Sequence, residues 1–135
     1  MMPNTMVLTR VILLDRSLLA MNMFRLMLAP FGVRVVSVQT LDAMKRQVVQ
    51  GEPVAVVVIS SNTFGRKINE TLTMCCDEPL VRQLPKIFIC RETKAEASWR
   101  EILSSVPNAS VLVRPFHPDE FGKIVESSLG IKGKE

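Results

Sequence analysis

The sequence has one histidine, one tryptophan and no tyrosine in 135 residues, and each shortage removes a class of chemistry. The sole histidine, His117, stands beside Pro118 at a helix start, so no nucleophile, base and orienter set of the kind used by transfer enzymes can be assembled around it. Neither a G-x-G-x-x-G turn nor a phosphate-binding P-loop occurs. The three cysteines, Cys75, Cys76 and Cys90, lack the C-x-x-C spacing of metal sites, and their odd number argues against a disulfide framework, which makes a reducing, cytoplasmic location the expectation. Long apolar runs are also missing. Arg10 and Asp15 interrupt the N-terminal region and Asn22, Arg25 and Pro30 interrupt Leu18 to Val33, so neither a cleavable leader nor a membrane span of about 20 residues is expected.

What is present fits one compact unit with a substantial core. Apolar residues make up 47% and charged residues 22%, which excludes disordered and collagen-like classes. The net charge of +4 arises from 17 Lys and Arg against 13 Asp and Glu, spread from Arg10 to Lys134. Dispersed basic residues read as a solvated surface, and neither nucleic acid nor membrane is an expected partner, because an electrostatic footprint needs a concentrated patch.

Two hydrophobic textures alternate along the chain. Short Val- and Ile-rich runs at Val11–Leu14, Val33–Val38, Val54–Ile59, Lys86–Cys90 and Val111–Val113 predict strands buried on both faces. The segments between them carry apolar residues at helical spacing. Ser17 and Thr40 are positioned to cap the first two helices, the second stopping at Gly51. Thr93 and Glu96 have the spacing of a capping box, placing a helix from about Lys94 to Ser105. His117-Pro118-Asp119-Glu120 opens the last helix, with proline and two acids in its first turn. A helix within Ile68–Arg82 must be broken or bounded by Pro79.

Five strand–helix units imply a doubly wound parallel α/β sheet, whose functional crevice lies beyond the carboxyl ends of the strands. Those ends are Asp15-Arg16, Ser60-Ser61, Cys90-Arg91 and Arg114. The segments VILLDRS, GEPVAVVVISSN, LPKIFICRETK and LVRPFHPDEF resemble the four marker regions of response-regulator receiver domains, over roughly Arg10 to Leu129. The resemblance implies a single flavodoxin-like receiver domain with strand order 2-1-3-4-5 and a core of about residues 10–129, followed by a tail or linker stub at 130–135. It also implies a place in bacterial two-component signalling.

In that family an acidic pair binds magnesium, an aspartate at the end of the third strand is phosphorylated, a hydroxyl residue follows the fourth strand, and a Lys-Pro pair closes the site. Here Asp15 matches the first acid and Arg16 replaces the second. Ser61 stands at the phosphoacceptor position, Cys90 replaces the hydroxyl residue, and Arg114 replaces the lysine before Pro115. An acyl phosphate requires a carboxylate, and magnesium prefers several hard oxygen ligands, so aspartyl phosphorylation is not expected and magnesium binding is expected to be weak or absent. A guanidinium from Arg16 or Arg114 could serve Asp15 as an internal counterion, or Arg16 could simply face solvent. No base for Ser61 is evident in the sequence.

The aromatic switch position is Val111, so with Cys90 the usual hydroxyl–aromatic coupling is absent. Cys90 reads as small packing rather than a redox sensor. Trp99 and Phe116 border the face receivers commonly offer to partners, although Trp99 could equally pack into a groove. In the first helix Leu19, Met21, Met23, Phe24, Leu26, Met27 and Leu28 spread over roughly two hundred degrees, twice the stripe needed for one core. The surplus flank could meet a second subunit, making a homodimer, or be covered by neighbouring helices. Together these features read as a degenerate, non-enzymatic receiver with a protein partner or a fused output domain. The alternatives are a phosphorelay receiver with an unusual acceptor such as Ser61, and a flavodoxin-like small-ligand binder. The last is weak, since the Asp15–Leu19 loop has neither a Gly-rich phosphate cradle nor aromatics to sandwich a flavin ring.

Overall fold

The computed structural model describes residues 9–50, 52–64 and 67–130. Five strands, β1 (Arg10–Leu14), β2 (Arg34–Val38), β3 (Val54–Ser60), β4 (Lys86–Arg91) and β5 (Ala109–Arg114), pair in parallel in the order β2-β1-β3-β4-β5. The helices are α1 (Leu18–Leu28), α2 (Leu41–Val48), α3 (Ser61–Phe64), α4 (Ile68–Asp77), α5 (Pro79–Gln83), α6 (Lys94–Leu103) and α7 (Pro118–Leu129). This is the doubly wound order that the resemblance implies.

Side-chain alternation along the central strands divides the core into two. Val11, Leu13, Val56, Val58, Ile87 and Ile89 face α1 and α7, where Phe24, Leu28, Phe121 and Val125 are buried. Ile12, Leu14, Val57, Ile59, Phe88 and Cys90 face the opposite way, onto Met44, Val48, Cys75, Val81 and Leu103. Because β1, β3 and β4 bury both faces, they read as unbroken apolar runs in the sequence. Burying one such large side chain contributes about 1.5–3 kcal/mol.

Helix ends follow the expected chemistry with instructive departures. Ser17 Oγ accepts from Ala20 N and Thr40 Oγ1 accepts from Ala43 N. Pro79 splits the expected third helix in two, ending α4 at Asp77 and opening α5 as its first residue. At α7 the box is formed by His117 and Glu120: His117 Nδ1 accepts from Asp119 N, and Glu120 Oε1 accepts from His117 N. The second helix ends at Val48, and Gly51 lies outside the described residues. The 131–135 part of the tail lies outside them too, beyond Gly130, which ends α7 in the left-handed conformation at φ 75°.

One reading of the charge needs correction. Two basic residues expected on a solvated surface, Arg10 and Lys86, are each only 1% exposed, at the N-terminal edge of the sheet. The Arg10 guanidinium donates to Gln47 Oε1 at 2.8 Å and to the Gln47 and Glu52 carbonyls at 2.9 Å. Lys86 Nζ donates to the carbonyls of Val81, Arg82 and Leu84, the last at 2.6 Å. These buried cations survive because backbone oxygens left over at the end of α5 take the Lys86 protons, while Arg10 is met by Gln47, the Glu52 carbonyl and the Glu52 carboxylate 3.3 Å from its Nε.

Candidate functional site

At the opposite edge, the carboxyl ends of β1, β3, β4 and β5 converge. Leu14 pairs with Ile59, Ile59 with Phe88, and Arg91 with Arg114, so Asp15, Ser61, Arg91 and Arg114 all lie at one rim of the sheet. Asp15 is fully buried. Its Oδ1 accepts from Ser17 N at 2.8 Å and from Asn62 Nδ2 at 2.5 Å. Among the described residues its Oδ2 has no hydrogen-bond partner, and it is paired with Arg114 Nη2 at 3.8 Å. The Arg114 guanidinium also lies 5.7 Å from the centre of the Phe24 ring, and the Arg114–Pro115 peptide is cis.

Of the two arginines considered as counterions for Asp15, the structure selects Arg114. The Arg16 side chain faces solvent, and its backbone N–H donates to Asn62 Oδ1 at 3.2 Å. Asn62, which sequence reasoning missed, thus ties β1 to the end of β3 through both ends of its amide. As a magnesium site the donor set is a poor fit. It offers one free carboxylate oxygen, already facing a guanidinium, where magnesium takes a near-octahedral shell of hard oxygens. Among the described residues no group of three or more His, Cys, Asp or Glu side chains comes together.

Ser60 and Ser61 are buried where the third strand meets α3. The Ser61 hydroxyl favours the charged form of the nearby Glu96 carboxylate, which is itself only 1% exposed. Glu96 Oε1 also accepts from Arg91 N at 2.5 Å, and Oε2 accepts from Arg91 Nε at 2.8 Å. Burial alone would raise the Glu96 pKa, but the Arg91 N–H, the Arg91 guanidinium and the Ser61 hydroxyl outweigh it, holding the group below the usual carboxylate range.

These contacts correct two expectations. Ser61 does have an adjacent carboxylate, though one too well stabilised in its charged form to be an effective base. Thr93 and Glu96 do not form a reciprocal box: Thr93 Oγ1 accepts from Glu96 N, but Thr93 N donates to the Arg91 carbonyl at 3.0 Å, which leaves the Glu96 side chain free to reach the strand end. A glutamate five residues beyond the strand end, in the first turn of a helix that starts after only two intervening residues, is the sequence signal that could have revealed it.

The other named positions, Cys90, Val111, Trp99 and Phe116, are buried or half-buried. Cys90 is buried and its thiol is pushed up to about 11, chiefly by burial and then by Glu96, against a smaller lowering by Arg100. That suits packing and not redox chemistry. Val111 is half-buried against the core. Trp99 is also half-buried and packs on the same core. Phe116 joins Phe24 and Phe121 in an aromatic cluster, with 6.2 Å between the Phe116 and Phe121 ring centres. With Met23, Met27, Arg114 and Pro118, Phe116 lines a groove of about 260 Å³. Along α1, Met21, Phe24 and Leu28 are buried, whereas Leu18, Leu19, Met23 and Leu26 are 52–75% exposed. The surplus apolar flank is therefore real.

No family model matches the chain, and no curated protein is similar to it in sequence. Solved structures do resemble it. A response regulator receiver protein from Sinorhizobium medicae superposes with a TM-score of 0.69 at 16% identity, over 91% of this chain and 95% of that one. The N-terminal signal receiver domain of a two-component response regulator from Bacteroides fragilis gives 0.70 at 16% identity, over 90% and 96%. A response regulator receiver modulated diguanylate cyclase from Pelobacter carbinolicus gives 0.65 at 14%, over 91% and 93%. The fold of this chain is thus the one these receiver domains share.

Proposed function

We propose that the chain is a degenerate receiver module that works in signal transduction through protein contacts, without phosphorylation and without magnesium. The observation that carries this reading is the state of its one buried rim aspartate. Asp15 is held by Ser17, Asn62 and Arg114, and the end of β3 presents the hydroxyls of Ser60 and Ser61 where acyl phosphate chemistry requires a carboxylate. The module's contacts are made by its surfaces. The exposed apolar residues of α1 and the rim around Phe116 supply one surface for a protein partner, an attached output domain or a second copy of the chain. No described helix is long and apolar enough to cross a membrane.

Incubation with acetyl phosphate or phosphoramidate and magnesium, followed by intact-mass measurement, tests the proposal. Unchanged mass is expected. A stable added phosphoryl group on Ser61 would instead favour a phosphorelay receiver with a serine acceptor.

A further inference from the structure

Glu96 sits in a place its helix does not require. A carboxylate in the first turn normally gains from the helix dipole and its own cap while remaining in water. Here it is buried, and the groups that hold it outside its helix belong to the strand rim: the Arg91 N–H and guanidinium at the end of β4 donate to it, and the Ser61 hydroxyl where β3 meets α3 also favours its charged form. A hydroxyl, a backbone N–H and a guanidinium converging on two oxygens is the donor set that binds small oxyanions.

We propose that Ser61, the Arg91 N–H and the Arg91 guanidinium form an oxyanion receptor that the protein fills with its own Glu96 carboxylate. The carboxylate is a built-in ligand. It fixes the corner where β3, β4 and α6 meet in the arrangement a bound carboxylate or phosphate would otherwise impose. The inference deepens the phosphorylation-independent reading and rests on it for its functional meaning, because a permanently filled receptor gives the α6 side of the domain one setting.

Removing the side chain while keeping its receptor provides the test. Glu96→Ala should lower Tm, and added acetate or inorganic phosphate should restore it saturably, by about 4–7 °C at a tenfold excess over Kd, beyond chloride at equal ionic strength. Wild type should not respond. Glu96→Gln, whose amide still fills the space, should also be unresponsive. If neither oxyanion restores Glu96→Ala, or if wild type responds equally, the proposal fails. Should Glu96→Ala not fold, the wild-type Arg91 amide proton decides: its chemical shift must follow the protonation of Glu96 below the ordinary glutamate range, and an amide insensitive to that titration overturns the assignment. Neither measurement contains magnesium or a phosphodonor. A phosphoryl group taken up by wild type would defeat the preceding proposal and leave this one standing, whereas failed rescue with unchanged mass would do the reverse.

Discussion

Replacing Asp15 by alanine gives the sharpest test of how the rim is held together, because two pictures of the pocket predict opposite signs. If Asp15 were an uncompensated carboxylate waiting for a cation, removing it would relieve buried charge and stabilise the domain. In the structure it accepts hydrogen bonds from Ser17 N and Asn62 Nδ2 and lies 3.8 Å from Arg114. Two hydrogen bonds to a charged group are worth about 1.5–3 kcal/mol each. Relief of the carboxylate's desolvation and hydration of the exposed Asn62 offset part of this, leaving a net loss of about 2–4 kcal/mol. For a chain of 135 residues that lowers Tm by about 6–15 °C. Urea denaturation of Asp15→Ala, Asp15→Asn and Arg114→Ala, with the double variant, measures it. Asp15→Asn keeps a carbonyl for Ser17 N–H and should lose about half as much, while the Asp15–Arg114 coupling should be about 0.5–1 kcal/mol for a part-exposed guanidinium at this distance. Asp15→Ala at or above wild-type stability, or a magnesium-dependent rise in wild-type Tm, would refute the reasoning.

Three further outcomes are expected. The Glu96 pKa is lowered in the folded state, so its contribution is fully present above the unfolded value of about 4.3 and is lost as pH falls through the folded value. Urea midpoints between pH 7 and pH 3 should therefore drop more steeply for wild type than for Glu96→Gln, and parallel curves would contradict it. Burial pushes the Cys75 thiol up to about 12 and the Cys90 thiol up to about 11, so mass spectrometry after iodoacetamide treatment of the native protein should find label on half-buried Cys76 alone, and on all three once unfolded. Lys86→Met leaves three carbonyls without their donor and should cost about 2–4 kcal/mol in chemical denaturation, despite the similar side-chain length.

The fold was legible because the interiors of β1, β3 and β4 are covered on both faces and must be apolar, and because α1, α2, α6 and α7 each begin on a polar side-chain cap. The runs for β1, β3 and β4 each missed one polar end residue, and the edge strand β5 was read three residues short: Ala109, Ser110 and Arg114 belong to it, but at the sheet edge they are half-buried and carry no apolar demand. The site divided differently. Asp15 and Arg114 could be placed because strand ends fix their positions. Asn62 and Glu96 could not, since their roles depend on side-chain direction after a chain reversal. The Asn62 amide turns back toward β1, and Glu96 abandons a reciprocal cap because Thr93 N–H already has the Arg91 carbonyl. The spacing of Thr93 and Glu96 was correctly seen, but spacing does not determine which of two nearby donors a carboxylate takes.

The two cations buried at the N-terminal edge act on strand register. Arg10 opens β1 and grips the carbonyls of Gln47 and Glu52, and Lys86 opens β4 and grips the carbonyls that close α5. Each strand thus begins on a side chain that only one position can satisfy. A slip of one residue would bring Val11 or Ile87 to those carbonyls, leave them unpaired, and exchange the two apolar faces of the sheet. In a sheet so rich in interchangeable Val and Ile, Arg10 and Lys86 are index marks that tell otherwise similar strands where to start.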